Sequence, residues 1–261
     1  MEPTQSHPRY LDARAGEVWA RLDSVSDPEL DESVTELNFV TYANVDAEDR
    51  VHIGFRLPTY WCAANFSFLM ADDMRLAVSA LPWVKGVSVV LGEHMYADKI
   101  NAGLAHGLSF EDTFGAEADG NLDDIRQTFL IKAYQRRQAA LLKHLAEAGH
   151  SPELLVALTL GGLEALSLDA EGVKLVARYL DRRNVVGALR PEALAFLTDE
   201  CAPLKAETFA KYVTGLRRVG VNAEFNSALC RGLLSVRFDL ETPFVLKSAA
   251  QTPASPQSST V

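Results

Sequence analysis

Apolar residues alternate with period two at Val51–Leu57 and again at Val87–Leu91, and from Asn121 onward such alternation largely disappears in favour of helical spacing. A chain patterned in this way cannot be one uniform architecture. The spacing predicts an α+β fold: a small mixed-sheet module at residues 15–114, then an all-α region at residues 121–247. The small, acidic stretch Gly115–Gly120 is the expected linker. Residues 1–14 are expected to be a flexible N-terminus, and the Ser/Pro/Gln/Thr-rich residues 248–261 a disordered tail.

Within the module, Val18, Trp19 and Leu22 recur at helical spacing, and Ser26-Asp27-Pro28 ends that helix. Val34–Val45 and Val51–Leu57 read as two strands, paired as a hairpin across charged turn residues. After Pro58, the residues Phe66, Leu69, Met70, Met74, Ala77, Val78 and Leu81 fall on one helical stripe that Pro82 stops. Val87, Val89 and Leu91 form a third strand. In the second half, helix starts are expected at Ser151-Pro152, at Asp169, at Arg190-Pro191-Glu192 and near Lys205, with Gly161-Gly162, Gly187 and Gly220 as stops or turns.

Charge and composition exclude several classes. With 48% hydrophobic and 23% charged residues the chain can bury a core and fold. Its formal charge is -10, and between Glu17 and Asp49 ten acidic residues face a single Arg21, so a phosphate backbone would be repelled and nucleic acid is not an expected partner. No apolar run reaches the roughly 18 to 20 residues needed to cross a bilayer, and the first 14 residues lack the apolar segment of a secretory signal, which makes a cytoplasmic location the expectation. Cys62, Cys201 and Cys230 are odd in number, widely spaced and without a C-x-x-C pair, so free thiols are expected, the latter two packed in helical surroundings. His7, His52, His94, His106, His144 and His150 form no H-E-x-x-H and no i, i+4 pair, and neither a G-x-S-x-G elbow nor a Walker A loop occurs.

Three segments occur in an order that resembles a known family: Asp27-Pro28-Glu29-Leu30, the strand Val34-Thr35-Glu36-Leu37-Asn38-Phe39-Val40, and Leu57-Pro58-Thr59-Tyr60-Trp61-Cys62-Ala63-Ala64, followed by Ala80-Leu81-Pro82-Trp83-Val84-Lys85-Gly86-Val87. This pattern is similar to that of the iron-sulfur cluster assembly factors that include the SufT and PaaD proteins, over about residues 15 to 95. Two features depart from that family. Trp61 precedes and Ala63 follows Cys62, where the family usually has glycine before and proline after, and the long helical region has no counterpart in minimal members.

The resemblance implies an assembly or maturation factor rather than a turnover enzyme, with no permanently bound cofactor and with transient iron or an iron-sulfur cluster as cargo. It implies Cys62 as the transient ligand, Asp27 and Glu29 beside it, and a client metalloprotein as partner, an oxygenase component of a bacterial diiron monooxygenase among the clients. A cysteine at a helix start faces unpaired backbone N–H groups and the positive end of the helix dipole, which favour the thiolate that iron binding requires. Alternatives stay open at this point. Cys62 could be a packed thiol, Asp27 a turn cap, Glu29 a solvated side chain, and the module a metal-free adaptor. A thiol enzyme with Cys62 as nucleophile and a distant histidine base is a third class. Tyr60 and Trp61 are candidates for client contact. Lys132, Arg136, Arg137 and Lys143 form either a solvated helix face or a docking surface for an acidic partner. A homodimer is left open.

Overall fold

The computed structural model describes residues 13–118 and 121–238. The first module runs α1 (Ala13–Asp23), β1 (Val40–Val45), β2 (Arg50–Phe55), α2 (Ala64–Ser79) and β3 (Gly86–Leu91), the expected order of helix, strand, strand, helix, strand. Strand β2 is central, antiparallel to β1 and parallel to β3 in the order β1-β2-β3, with Val51 opposite Val45 on one side and Val87 on the other. The β1–β2 connection is tight because Asp46 folds back on it. Its carboxylate accepts from the Glu48 and Arg50 amides at 3.0 and 2.9 Å, and Asp49 takes a positive φ. Gly54 is required at its position, since a Cβ there would stand 2.1 Å from the Tyr42 ring that crosses it.

Helices α1 and α2 cover one face of this sheet. Val18 and Leu22 are fully buried, and α2 buries Phe68, Met70, Ala71, Met74 and Val78 in one cluster with Val51, Ile53 and Phe55. Two short helices, α3 (Ala97–Ala105) and α4 (Phe110–Phe114), complete the module, with Phe110 edge-on to Phe68 at 5.7 Å.

The first strand is shorter than its composition predicts. Residues 34–39 form a turn, not strand, with Asn38 at φ 58° and Asp31 at φ 54°, and Leu37 and Phe39 amides bonding back to Ser33 and Val34. Val34, Leu37 and Phe39 are nonetheless buried, so the apolar content that suggests a strand is spent on core packing.

The second half is helical, as the periodicity predicts: α5 (Leu122–Glu147), α6 (Pro152–Ala157), α7 (Leu160–Glu164), α8 (Ala170–Arg183) and α9 (Phe209–Phe238). Ser151 and Asp169 cap α6 and α8 through the amides of Leu154 and Gly172. Three expectations are corrected. The Arg190-Pro191-Glu192 segment starts no helix, because its backbone pairs with the α7 region instead, Gly161 and Leu160 amides donating to the Pro191 and Ala193 carbonyls at 2.8 Å. Gly161 and Gly162 lie inside α7, where Gly161 admits the close approach of Pro191. Gly220 does not stop α9, which continues to Phe238. Of the expected linker, residues 115–117 are a 3-10 turn entered by Gly115 at φ 57°, and residues 119–120 lie outside the described residues, as do residues 1–12, with His7, and 239–261. Residues 13–14, expected within the flexible N-terminus, open α1.

The two halves have separate buried clusters, joined by one helix. Tyr134, Leu141, Leu142, Leu145, Tyr179 and Phe196 centre a helical cluster, but α9 spans both. Phe209 and Leu216 are buried in that cluster, whereas Leu234 is buried in the module's core with Cys230 and Phe238 beside it. On the other side of the junction α5 lies against α2, with Phe129 edge-on to Phe66 at 4.9 Å and Arg126 paired to Asp73 at 2.7 Å.

Candidate functional site

Cys62 ends the Leu57–Trp61 loop, two residues before α2 begins. It is half-buried, and Ala63 at the helix N-cap offers no side-chain cap. In the first turn the Phe66 amide is taken by Asn65 Oδ1 at 2.8 Å, so the cysteine sits beside a helix start capped in part from within. The Thr59 hydroxyl lies 3.0 Å from the Cys62 sulfur.

The loop is held from behind by the segment after β3. The Met95 amide donates to the Tyr60 carbonyl at 2.9 Å, and His94 Nε2 lies 2.8 Å from the Cys62 carbonyl oxygen. The Tyr96 amide donates to His94 Nδ1 at 3.2 Å, which makes Nδ1 the acceptor and Nε2 the N–H donor. His94 is 4% exposed, and burial pulls its pKa down, in keeping with a neutral ring. The sequence allows His94 to approach Cys62. It does so as a clamp on the main chain, with both ring nitrogens engaged there and neither on the sulfur. Nothing in the sequence signals this role, because it depends on a contact across 32 residues.

Asp27 and Glu29 lie in the turn after α1, near enough to Cys230 of α9 for both charges to act on its thiol. Asp27 accepts from the Glu29 and Leu30 amides at 2.9 and 2.8 Å, so its turn-capping reading holds. Glu29 is engaged by Asn226 Nδ2 of α9 at 2.8 Å rather than solvated. The residue that sequence reasoning set aside is Cys230. It sits on α9 half-buried near Cys62, and its pKa is pushed up to about 11 by burial, then by the negative charges of Asp27, Cys62 and Glu29. Two thiols and two carboxylates thus share one neighbourhood, although among the described residues no group of three or more His, Cys, Asp or Glu is arranged to hold a metal ion. Cys201 differs from expectation: it is exposed, in a turn at φ 64°.

Burial also pushes the Asp27 pKa up to about 6, against its two amide hydrogen bonds. A raised carboxyl pKa means the folded state holds a proton that the unfolded chain releases near pH 4, so this group adds stability as pH falls from about 6.5 to 4.5. His94, with its depressed pKa, acts in the opposite sense, removing stability as pH falls below about 6.5. Asp27→Asn keeps the amide acceptor and removes the charge. At pH 7.5 it is expected to change stability by about +1 kcal/mol in favour of folding. The difference between wild type and variant in urea midpoint should shrink as pH is lowered to 5. A constant difference would place the titration elsewhere.

Tyr60 and Trp61 are exposed, at 52% and 72%, on the face of the cysteine loop. Of the basic residues of α5, Lys132 and Lys143 are exposed, whereas Arg136 and Arg137 face the module. Arg136 donates to the Glu29 carbonyl at 2.7 Å, and Arg137 makes a two-pronged contact with Asp31 at 2.6 and 2.8 Å. The acidic partner they meet is this chain's own module, because α5 packs back on it. Lys132 lies over the Phe129 ring at 4.5 Å, and Lys143 pairs loosely with Glu147 at 3.8 Å.

No helix among the described residues is long and apolar enough to cross a membrane. No curated protein matches the chain. A family model described as iron-sulfur cluster assembly protein matches residues 16–89, the stretch that carries α1 through most of β3 with the Asp27 turn and the Cys62 loop, so the resemblance of the N-terminal module to that family holds.

Proposed function

We propose that this protein is an iron-sulfur cluster assembly or maturation factor rather than a turnover enzyme, passing iron or an assembled cluster to a client metalloprotein through Cys62 as transient thiolate ligand. The observation that carries the reading is the placement of Cys62. It ends a loop clamped by His94 at the start of α2, within the matched stretch. A pinned backbone with a partly accessible sulfur suits a ligand that must hold cargo and release it. Asp27 restrains its own turn, Glu29 is held by Asn226, and their carboxylates would supply negative charge for a cation. Exposed Tyr60 and Trp61 form the client-facing rim of the loop. A component of a bacterial multicomponent diiron monooxygenase is the client class proposed.

A metal-free adaptor remains the rival, and iron dependence on Cys62 separates the two. The test is anaerobic copurification with the client, followed by iron and sulfide analysis of client made with and without this protein. Cys62→Ala is expected to leave stability within about 1 kcal/mol of wild type, since a small half-buried side chain is lost from a loop. It should lower client iron to the level found without the protein. Full client iron with Cys62→Ala would favour the adaptor.

A further inference from the structure

The C-terminal part of α9 leaves the helical cluster and reaches the start of the cysteine loop. A helix of 30 residues is about 45 Å long, enough to be rooted in one half and to end on the other. Its root is firm. Phe209 and Leu216 are buried, and the Tyr212 hydroxyl donates to Gln138 Oε1 at 2.5 Å. Its far end is held differently. Asn226 bonds Glu29 at 2.8 Å, Ser227 bonds Glu32 at 2.5 Å, and Arg231 pairs with Glu32. Arg237 donates to the Leu57 carbonyl at 3.3 Å, at the start of the cysteine loop, and to Glu93 Oε2 at 3.0 Å. Between Phe225 and Phe238 only Leu234 is buried, and Cys230 lies half-buried near Cys62.

We propose that the Asn226–Phe238 part of α9 is a releasable cover on the Cys62 loop, closed by the polar contacts of Asn226, Ser227, Arg231 and Arg237 and by Leu234 with Cys230 and Phe238 beside it, and opened without unfolding either half. The physical reason is the kind of contact. Partly exposed ion pairs and single hydrogen bonds contribute little net stability, and Leu234 is the segment's one fully buried apolar residue, so lifting this end is less costly than global unfolding. The outer face of the same segment leaves Phe225, Leu229 and Val236 exposed at 68%, 48% and 85%, so no layer of the described chain locks it from outside. When closed, the segment holds the Leu57 carbonyl at the start of the loop and keeps Cys230 packed on the same core as Cys62. When lifted, it would open Cys62 to cargo. Only that use of the opening rests on the proposed function; the cover itself is argued from contacts.

The test is the iodoacetamide alkylation rate of each cysteine in the full chain, read by peptide mass spectrometry. Exposed Cys201 serves as internal control. Wild-type Cys62 should react more slowly than Cys201. Arg231→Glu is expected to raise the Cys62 and Cys230 rates about tenfold, the effect of roughly 1.4 kcal/mol on an opening equilibrium, with Cys201 unchanged. The charge-swapped pair Glu32→Arg with Arg231→Glu should restore slow labelling. Negative neighbours already push the Cys230 thiol up and Arg231→Glu adds another, so faster Cys230 labelling reports exposure rather than electrostatics. Arg237→Ala, which removes the grip on the Leu57 carbonyl without adding a charge, is the second variant should Arg231→Glu fail to fold, and the same acceleration is expected. Unchanged Cys62 labelling in the folded variants, or a charge swap that leaves labelling fast, would overturn the cover. Client iron that is the same with and without the protein, with the labelling result intact, would count against the proposed function alone.

Discussion

Asp31→Ala is expected to cost about 3–5 kcal/mol of stability, because it strands a buried guanidinium. Asp31 and Arg137 side chains are 5% and 9% exposed and meet through two parallel hydrogen bonds, with Arg182 3.4 Å from the same carboxylate. Deleting the carboxylate leaves Arg137 only the Arg178 carbonyl and the outer carboxylate of Asp181 at 3.2 Å. The backbone adds to the loss, since Asp31 sits at φ 54°, where alanine is strained and asparagine is tolerated. Asp31→Asn should therefore cost measurably less than Asp31→Ala, the difference being backbone strain together with any residual hydrogen bonding by the amide. Urea unfolding of both variants at pH 7.5 checks this. A loss below about 1 kcal/mol for Asp31→Ala would mean that the pair does not hold the module against α5 and α8.

Arg183→Met is expected to cost about 2–4 kcal/mol, even though methionine is apolar and able to fill the space. Arg183 is 1% exposed and donates to the carbonyls of Ala195, Leu194 and Gly187 at 2.9, 2.8 and 3.3 Å. Replacing a buried charge by a hydrophobe can be neutral when its partners go too, but here the partners are main chain and stay. Ala195 keeps the Tyr179 hydroxyl at 2.6 Å, whereas Leu194 and Gly187 lose the arginine donor. The irregular 187–197 segment depends on that donor because it forms no helix of its own. Thermal unfolding followed by near-ultraviolet circular dichroism of the buried pair Tyr134 and Tyr179 reads the loss. An unchanged midpoint would show that the segment holds itself by its bridges to Thr159 and Pro203.

The same contacts change the expectation for truncation. A chain ending near Gly115 keeps the sheet and its two covering helices, but it loses Leu234 from the core, Phe129 from α2 and the arginines that meet Asp31 and Glu29. It is expected to unfold at lower urea concentration than the full chain, measured by circular dichroism.

What the sequence by itself determined was local. The period-two runs in β2 and β3 and the apolar stripe of α2 report a strand or helix face directly, because side-chain direction repeats with the backbone. The caps at Ser151 and Asp169 are legible for the same reason, since a capping side chain bonds an amide three residues away. Cys62 before a helix start was legible too, through the Pro58 break and the stripe that follows.

Tertiary structure decided the rest. Val34, Leu37 and Phe39 carry strand composition yet form a turn, because the positive-φ turns at Asp31 and Asn38 are set by what the segment packs against. Arg136 and Arg137 read as an outward basic face until α5 folds onto the module and they meet Glu29 and Asp31 across more than a hundred residues. His94 looks like one of six scattered histidines until Tyr96 and the Cys62 carbonyl fix its two nitrogens. Cys230 stands beside Cys62 only because one long helix leaves its own cluster and finishes on the other. A pairing that long in sequence leaves no periodic trace, since it is selected by the shape and charge of surfaces that exist only after folding.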